Sequence, residues 1–195
     1  MANLKDLRNR IASVTSTQKI TKAMKMVSAS KLKRAQDAAE QARPYAERME
    51  NVLSSLASSM KGQTGGPKLL AGTGSDQKQL VVVATSERGL CGGFNTNIVK
   101  AAKAKINSLI KDGKDVTIIT IGKKGAGVLK RDYSDKMIEH FDLSHVKNLN
   151  FNDAAPISAR LIEKFDGGDF DVCTLFFAKF INVLTQVVTP LQLIP

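Results

Sequence analysis

Residues 3–60 contain no glycine and only one proline, Pro44, so almost nothing in that stretch forces the backbone out of a helix. Apolar residues recur there at steps of three and four. Leu4, Leu7, Ile11 and Val14 form one block, and Ile20, Met24 and Val27 form a second. Leu32, Ala35, Ala39, Ala42, Ala46, Met49, Leu53, Leu56 and Met60 form a third. The alternation is a heptad-type seam. At 1.5 Å per residue, a continuous helix of this length reaches about 85 Å, far more than a globular-domain helix. Residues 1–60 therefore read as one long coiled-coil helix. The six-residue step from Val14 to Ile20 breaks the heptad phase, so the first block faces a different neighbour from the others. The alanines at the seam let a second helix backbone come close. Pro44 is expected to kink the helix without ending it. A seam this long needs a mate, and the rest of the chain offers no helix to match it.

Charge is concentrated on the same segment. Residues 1–36 carry Lys5, Arg8, Arg10, Lys19, Lys22, Lys25, Lys31, Lys33 and Arg34 against Asp6 alone. That is +8 of a whole-chain net charge of +11. On a helix, Lys19, Lys22, Lys25 and Lys33 fall on one side, roughly opposite Ile20, Met24 and Val27. Surface helices usually intersperse both signs, so this face is expected to meet something acidic: nucleic acid, anionic lipid or an acidic protein surface. No apolar run is long enough to span a membrane, and the N-terminus has no apolar core of a secretory signal. Two cysteines, Cys91 and Cys173, are too few for a disulfide framework and read as reduced, partly buried thiols.

Residues 61–78, rich in glycine with Pro67 and Ser75, read as a flexible surface linker. Residues 79–195 then alternate strand and helix patterns: strands near 79–85, 115–121, 136–141 and 171–178, helices near 96–111, 128–129 and 153–165, and an extended segment at 184–192. Leu80-Val81-Val82-Val83-Ala84 is apolar on both faces, which suits a parallel strand covered on two sides. The fold class is α/β: a long N-terminal coiled-coil helix plus a Rossmann-like, three-layer α/β domain.

The α/β part carries no catalytic signature. Ser86-Glu87-Arg88-Gly89-Leu90-Cys91-Gly92-Gly93-Phe94-Asn95 stands where nucleotide folds bind phosphate, yet it matches neither the dinucleotide nor the P-loop fingerprint. Gly122-Lys123-Lys124-Gly125-Ala126-Gly127 fails both as well. Its Gly-x-x-Gly core follows a strand, whereas the RNA-clamping loop of that form joins two helices. His140 and His145 lack metal-ligand spacing and read as surface residues. No catalytic, cofactor or metal site is expected. A nucleic-acid module would use the basic arm, although aromatic residues for stacking are scarce there. A dinucleotide enzyme would need a fingerprint that is missing.

Several of these segments together resemble one family. Ile20-Thr21-Lys22-Ala23-Met24-Lys25-Met26-Val27, followed by Ala29-Ser30-Lys31, looks like the N-terminal helix of the ATP synthase gamma subunits. Arg88-Gly89-Leu90-Cys91-Gly92 resembles that family's characteristic turn. Lys179-Phe180-Ile181-Asn182 and Thr185-Gln186-Val187 match its late strand pair. The resemblance runs in order through essentially all 195 residues, and the bacterial form fits best.

The resemblance implies a non-catalytic central rotary stalk of a proton-translocating F-type ATP synthase. Its N-terminal helix pairs with a C-terminal helix inside a ring of alternating alpha and beta subunits. The implied partners are those alpha and beta subunits, an epsilon-type subunit and the membrane rotor ring, with no nucleic acid, small-molecule substrate or cofactor. The implied location is peripheral, on the cytoplasmic face of the bacterial inner membrane. Lys19, Lys22, Lys25, Lys31, Lys33, Arg34, Arg88 and Cys91 become the counterparts of an acidic segment on beta. Ile20, Met24, Val27, Leu32, Ala35, Ala39, Ala42, Ala46, Met49, Leu53 and Leu56 become the coiled-coil seam. The family continues beyond the position of Pro195 into its C-terminal helix, so the resemblance also implies a chain lacking that helix.

Overall fold

The computed structural model describes residues 3–60, 66–147 and 149–195. The chain divides into two compact units, residues 1–56 and 57–195.

The first unit is a single helix, α1, within Leu4–Met60. Asn3 opens it, its side-chain oxygen accepting from the Lys5 N–H at 3.2 Å, a polar residue placed where an N-cap is favoured. The helix runs through Pro44. This agrees with the unbroken apolar phase on either side of that residue. Thr17 and Thr21 turn their hydroxyls back onto the carbonyls of Ser13 and Thr17, each at 3.0 Å, so neither offers an outward polar group.

The second unit is a five-stranded sheet with helices on both faces. In chain order it holds the one-turn helix α2 (Lys68–Ala71), β1 (Lys78–Ala84), α3 (Phe94–Lys111), β2 (Asp115–Ile121), α4 (Lys123–Tyr133), β3 (Met137–Phe141), α5 (Phe151–Asp166), β4 (Val172–Phe180) and β5 (Gln186–Ile194). The strand order is β3-β2-β1-β4-β5. The first four strands are parallel and β5 returns antiparallel to β4. The extended segment expected at 184–192 is therefore the second arm of a hairpin. Asn182 shapes the hairpin turn by accepting from the N–H groups of Leu184 and Thr185 at 2.9 and 2.8 Å. Pro190 is tolerated because β5 is an edge strand.

Strand periodicity divides the core into two. Val81, Val83, Val116, Ile118 and Phe176 face Ile98, Ala102 and Ile106 of α3 and Leu129 and Tyr133 of α4. Leu80, Val82, Ile119 and Cys173 face the other way, onto Leu161 and Phe165 of α5 and onto Phe170. Because successive side chains alternate, β1 supplies both cores, which is why its sequence is apolar throughout. The chain steps outward from β1 to β2 to β3 with α3 and α4 on one face. It then crosses back over the other face through α5 to reach β4. Right-handed crossovers require that change of face when the direction of travel reverses. The reversal places β1 beside β4 and opens a crevice beyond their carboxyl ends.

Two local features differ from their composition. Residues 61–65 of the expected linker lie outside the described residues. In residues 66–78, Leu69 of α2 packs against the second core. Thr73 and Ser75 donate their hydroxyls to the Asp171 carboxylate at 2.6 and 2.9 Å, and the Lys78 N–H donates to it at 2.9 Å. These bonds hold the Asp171 carboxyl below its ordinary range, Thr73 contributing most. The second feature is the start of α5 at Phe151, two residues before the position expected from the sequence. Asn150 and Asp153 form a reciprocal capping box there, each side chain accepting from the other's backbone N–H.

Candidate partner-binding surfaces

On α1 the seam is open. Ile20, Met24, Val27, Leu32, Met49, Leu53 and Leu56 are each between 41% and 62% exposed. Ala35, Ala42 and Ala46 are exposed and Ala39 is half-buried. Contiguous apolar surface of this extent marks an interaction face. Lys19, Lys22, Lys25, Lys31, Lys33 and Arg34 are all exposed as well. Lys33 pairs with Asp37 one turn on, at 2.8 Å, and this bond raises the lysine's pKa. The other five make no ion pair among the described residues. At about 100° per residue, Lys31 and Arg34 fall within about 40° of Ile20, on the apolar side, and not with Lys19, Lys22 and Lys25. The cations therefore border the seam on more than one side.

In the α/β unit, the turn after β1 is built by its own side chains. The Ser86 N–H donates to the Asn95 carboxamide oxygen at 3.0 Å, and the Asn95 amide donates to the Ser86 hydroxyl at 2.8 Å and to the Cys91 sulfur at 3.1 Å. Asn95 thus ties the first turn of α3 to the loop that precedes it. Glu87 does the same for the other flank, accepting from the Lys123 N–H at 3.2 Å and the Leu143 N–H at 2.7 Å. The result presents Arg88, Leu90 and Cys91 to solvent. Leu90 has φ of 63°, the one non-glycine with positive φ among the described residues. The left-handed region costs an ordinary residue about 1–2 kcal/mol, so the surrounding bonds hold this leucine outward against its preference.

The basic Gly-rich segment expected to be a turn is instead helical from Lys123, the start of α4, and its glycines have a packing role. Gly122 sits at φ 90°, and a Cβ there would stand 2.1 Å from the Thr85 carbonyl oxygen. A Cβ on Gly125 would stand 2.7 Å from the Thr85 hydroxyl, which accepts from the Gly125 N–H at 2.8 Å. Both glycines let α4 begin directly against the end of β1. Lys123 next to them pairs with Asp142 at 2.9 Å. The Asp142 carboxyl lies well below the usual carboxylate range, held by Ser144 first and Lys123 second.

Arg88 and Cys91 are thus brought together on one turn, while the six helix cations belong to the other unit. Cys91 is exposed, contrary to the expectation of a partly buried thiol, because Asn95 turns it outward with the loop. Cys173 is buried as expected, and burial pushes its thiol up to about 12. Asn95 and Glu87 carry no sequence motif of their own; their partners are backbone groups that only the folded turn supplies. His140 and His145 are exposed, and no group of metal-ligating side chains occurs among the described residues.

Over residues 3–195 the sequence matches the family described as ATP synthase. Along its whole length it is 56% identical to the ATP synthase gamma chain of Parvibaculum lavamentivorans. The chain belongs to the ATP synthase gamma family. It is likewise 56% identical over its full length to the gamma chain of Roseobacter denitrificans. The gamma-family chain spans about two thirds of these relatives, 66% of the first and 67% of the second. A solved structure titled as the central stalk and c-ring of the Tetrahymena thermophila mitochondrial ATP synthase is 29% identical, with a TM-score of 0.69. That match covers 90% of this chain and 72% of the other. A chain of the Euglena gracilis mitochondrial ATP synthase rotor, 19% identical with a TM-score of 0.57, shares the fold over 96% of this chain and 61% of its own. No helix among the described residues is long and apolar enough to cross a membrane.

Proposed function

We propose that this gamma-family chain serves as the central rotary stalk of a proton-translocating F-type ATP synthase, coupling ion-driven rotation to conformational change at the catalytic beta subunits and performing no catalysis itself. One observation carries the reading: α1 exposes an apolar seam flanked by cations that are almost without internal acid partners. The seam suits a second helix. The cations suit an acidic segment of beta, with Arg88 and Cys91 meeting the same segment from their turn. A rotor biases a catalytic site only through unequal contacts with its different states. Exposed ion pairs suit that task because each contributes only about 0–1 kcal/mol, weak enough to release at every station. The further partners in this reading are the alpha subunits, an epsilon-type subunit and the membrane rotor ring. The location is peripheral, on the cytoplasmic face of the bacterial inner membrane.

The test is retention by alpha and beta subunits. The chain should be retained by them and not by nucleic acid. Replacing Lys19, Lys22 and Lys25 together by Glu should weaken retention by up to about a hundredfold, from about 1 kcal/mol at each position, and the deficit should shrink at high salt. Unchanged retention at low salt, or capture of nucleic acid in place of the subunits, would remove the role assigned to the stripe.

A further inference from the structure

A cavity of about 510 Å³ lies between the 89–92 turn, the first turns of α3 and the start of α4. Leu90, Val99 and Val128 supply apolar walls, and Lys100, Lys103 and Lys124 supply ammonium groups. The volume falls within the range of about 300–1,000 Å³ typical of small-molecule sites, which are mostly apolar with a few placed polar groups. Its charge is one-sided. Lys103 is neutralised by Asp132 on α4. The side chains of Lys100 and Lys124 have no carboxylate or hydrogen-bond partner among the described residues, and no acidic residue lines the cavity. Lys124 reaches across to the turn, its Cε 3.5 Å from where a Cβ on Gly89 would stand, so its ammonium lies beside the loop and not out along α4.

From this combination we infer that the cavity binds a small amphiphilic anion, of which a medium-chain carboxylate is the simplest example. The hydrocarbon lies against Leu90, Val99 and Val128. The carboxylate meets Lys100 and Lys124. A purely polar anion leaves the apolar walls wet, and each methylene that does enter contributes up to about 0.8 kcal/mol. A neutral alcohol of the same length gains that burial but forgoes the attraction of the two exposed ammonium groups. The walls and the ammonium groups therefore select both halves of the ligand together. The inference rests on the cavity alone and does not depend on the stalk reading.

Cys91 also lines the cavity and is exposed, whereas Cys173 is buried, so alkylation by neutral iodoacetamide reads occupancy at the site itself. With the full chain, decanoate below its micellar concentration should slow Cys91 alkylation about tenfold or more. Decanol and acetate at matched concentration should leave the rate within about twofold. Replacing Lys100 and Lys124 together by Ala should abolish protection by decanoate, with Cys173 remaining unreactive as the sign that the sheet is intact. Val128→Glu, at a partly exposed position, should abolish it too by placing a carboxylate against the ligand. Protection equal with acetate, protection equal with decanol, protection that survives both variants, or no protection at all would each overturn the assignment.

Discussion

Replacing Gly122, at the start of α4, by alanine should open the α/β unit far more than replacing either glycine within that helix, Gly125 or Gly127. The added methyl would stand 2.1 Å from the Thr85 carbonyl oxygen and 2.8 Å from its carbon, and both are backbone atoms that no rotamer change can move aside. The residue would also keep φ of 90°, which side chains avoid. The conformational part costs about 2 kcal/mol. Forcing α4 away from the end of β1 costs about 2 kcal/mol more, in the range of overpacked cores. Together this is about 4 kcal/mol, or about a thousandfold in the opening equilibrium at 1.4 kcal/mol per decade. Cys173 provides the assay. It is fully buried, its thiol is pushed up to about 12, and it lies in β4 next to β1. Its alkylation at mild pH therefore requires opening of the sheet. The Gly122→Ala chain should label about a thousand times faster at this cysteine, with Cys91 labelling little changed. Gly127 is the internal control: it lies inside α4, and a Cβ there meets nothing within 4 Å. Gly127→Ala should slow Cys173 labelling several-fold, because alanine is favoured over glycine in a helix by about 1 kcal/mol. A Gly122→Ala rate within threefold of the parent would refute the packing argument.

Asp171→Asn should lower stability modestly at neutral pH, by less than about 1 kcal/mol, since solvent screens this carboxylate. The folded pKa of Asp171 is lowered, so its contribution is present above the unfolded value near pH 4 and is lost as pH falls through the folded value. The gap between parent and variant in urea melts should therefore close on acidification; a gap that widens in acid would contradict the assignment. Tyr133→Phe removes a hydroxyl that donates to the Asn107 side-chain oxygen at 2.7 Å between α4 and α3. It should cost about 1 kcal/mol in the same melts, and no measurable change would show that water replaces the bond without loss.

Where an argument could be made from neighbours in sequence, the sequence was a good guide. The helix through residue 60 was legible because its apolar steps of three and four persist over many turns and past Pro44. β1 was legible as a doubly covered strand because Leu80, Val81, Val82 and Val83 are consecutively apolar. The +8 on residues 1–36 was legible as well, since charge adds regardless of fold. The turn around Arg88 and Cys91 could be singled out, but not what shapes it, because Asn95 and Glu87 act on backbone groups brought near only by folding.

The sequence by itself determined α1, α3, the bulk of α5 and the strands, and how much charge α1 carries, because these follow from local periodicity and composition, whereas α2 and the start of α4 fall in glycine-rich stretches that read as linker and turn. Tertiary structure alone decided the strand order, the reversed direction of β5, the attachment of residues 73–78 to Asp171 and the contact that makes Gly122 indispensable. Each of those depends on residues distant in sequence meeting at ångström range, and a one-dimensional pattern holds no record of which distant backbone a side chain will reach.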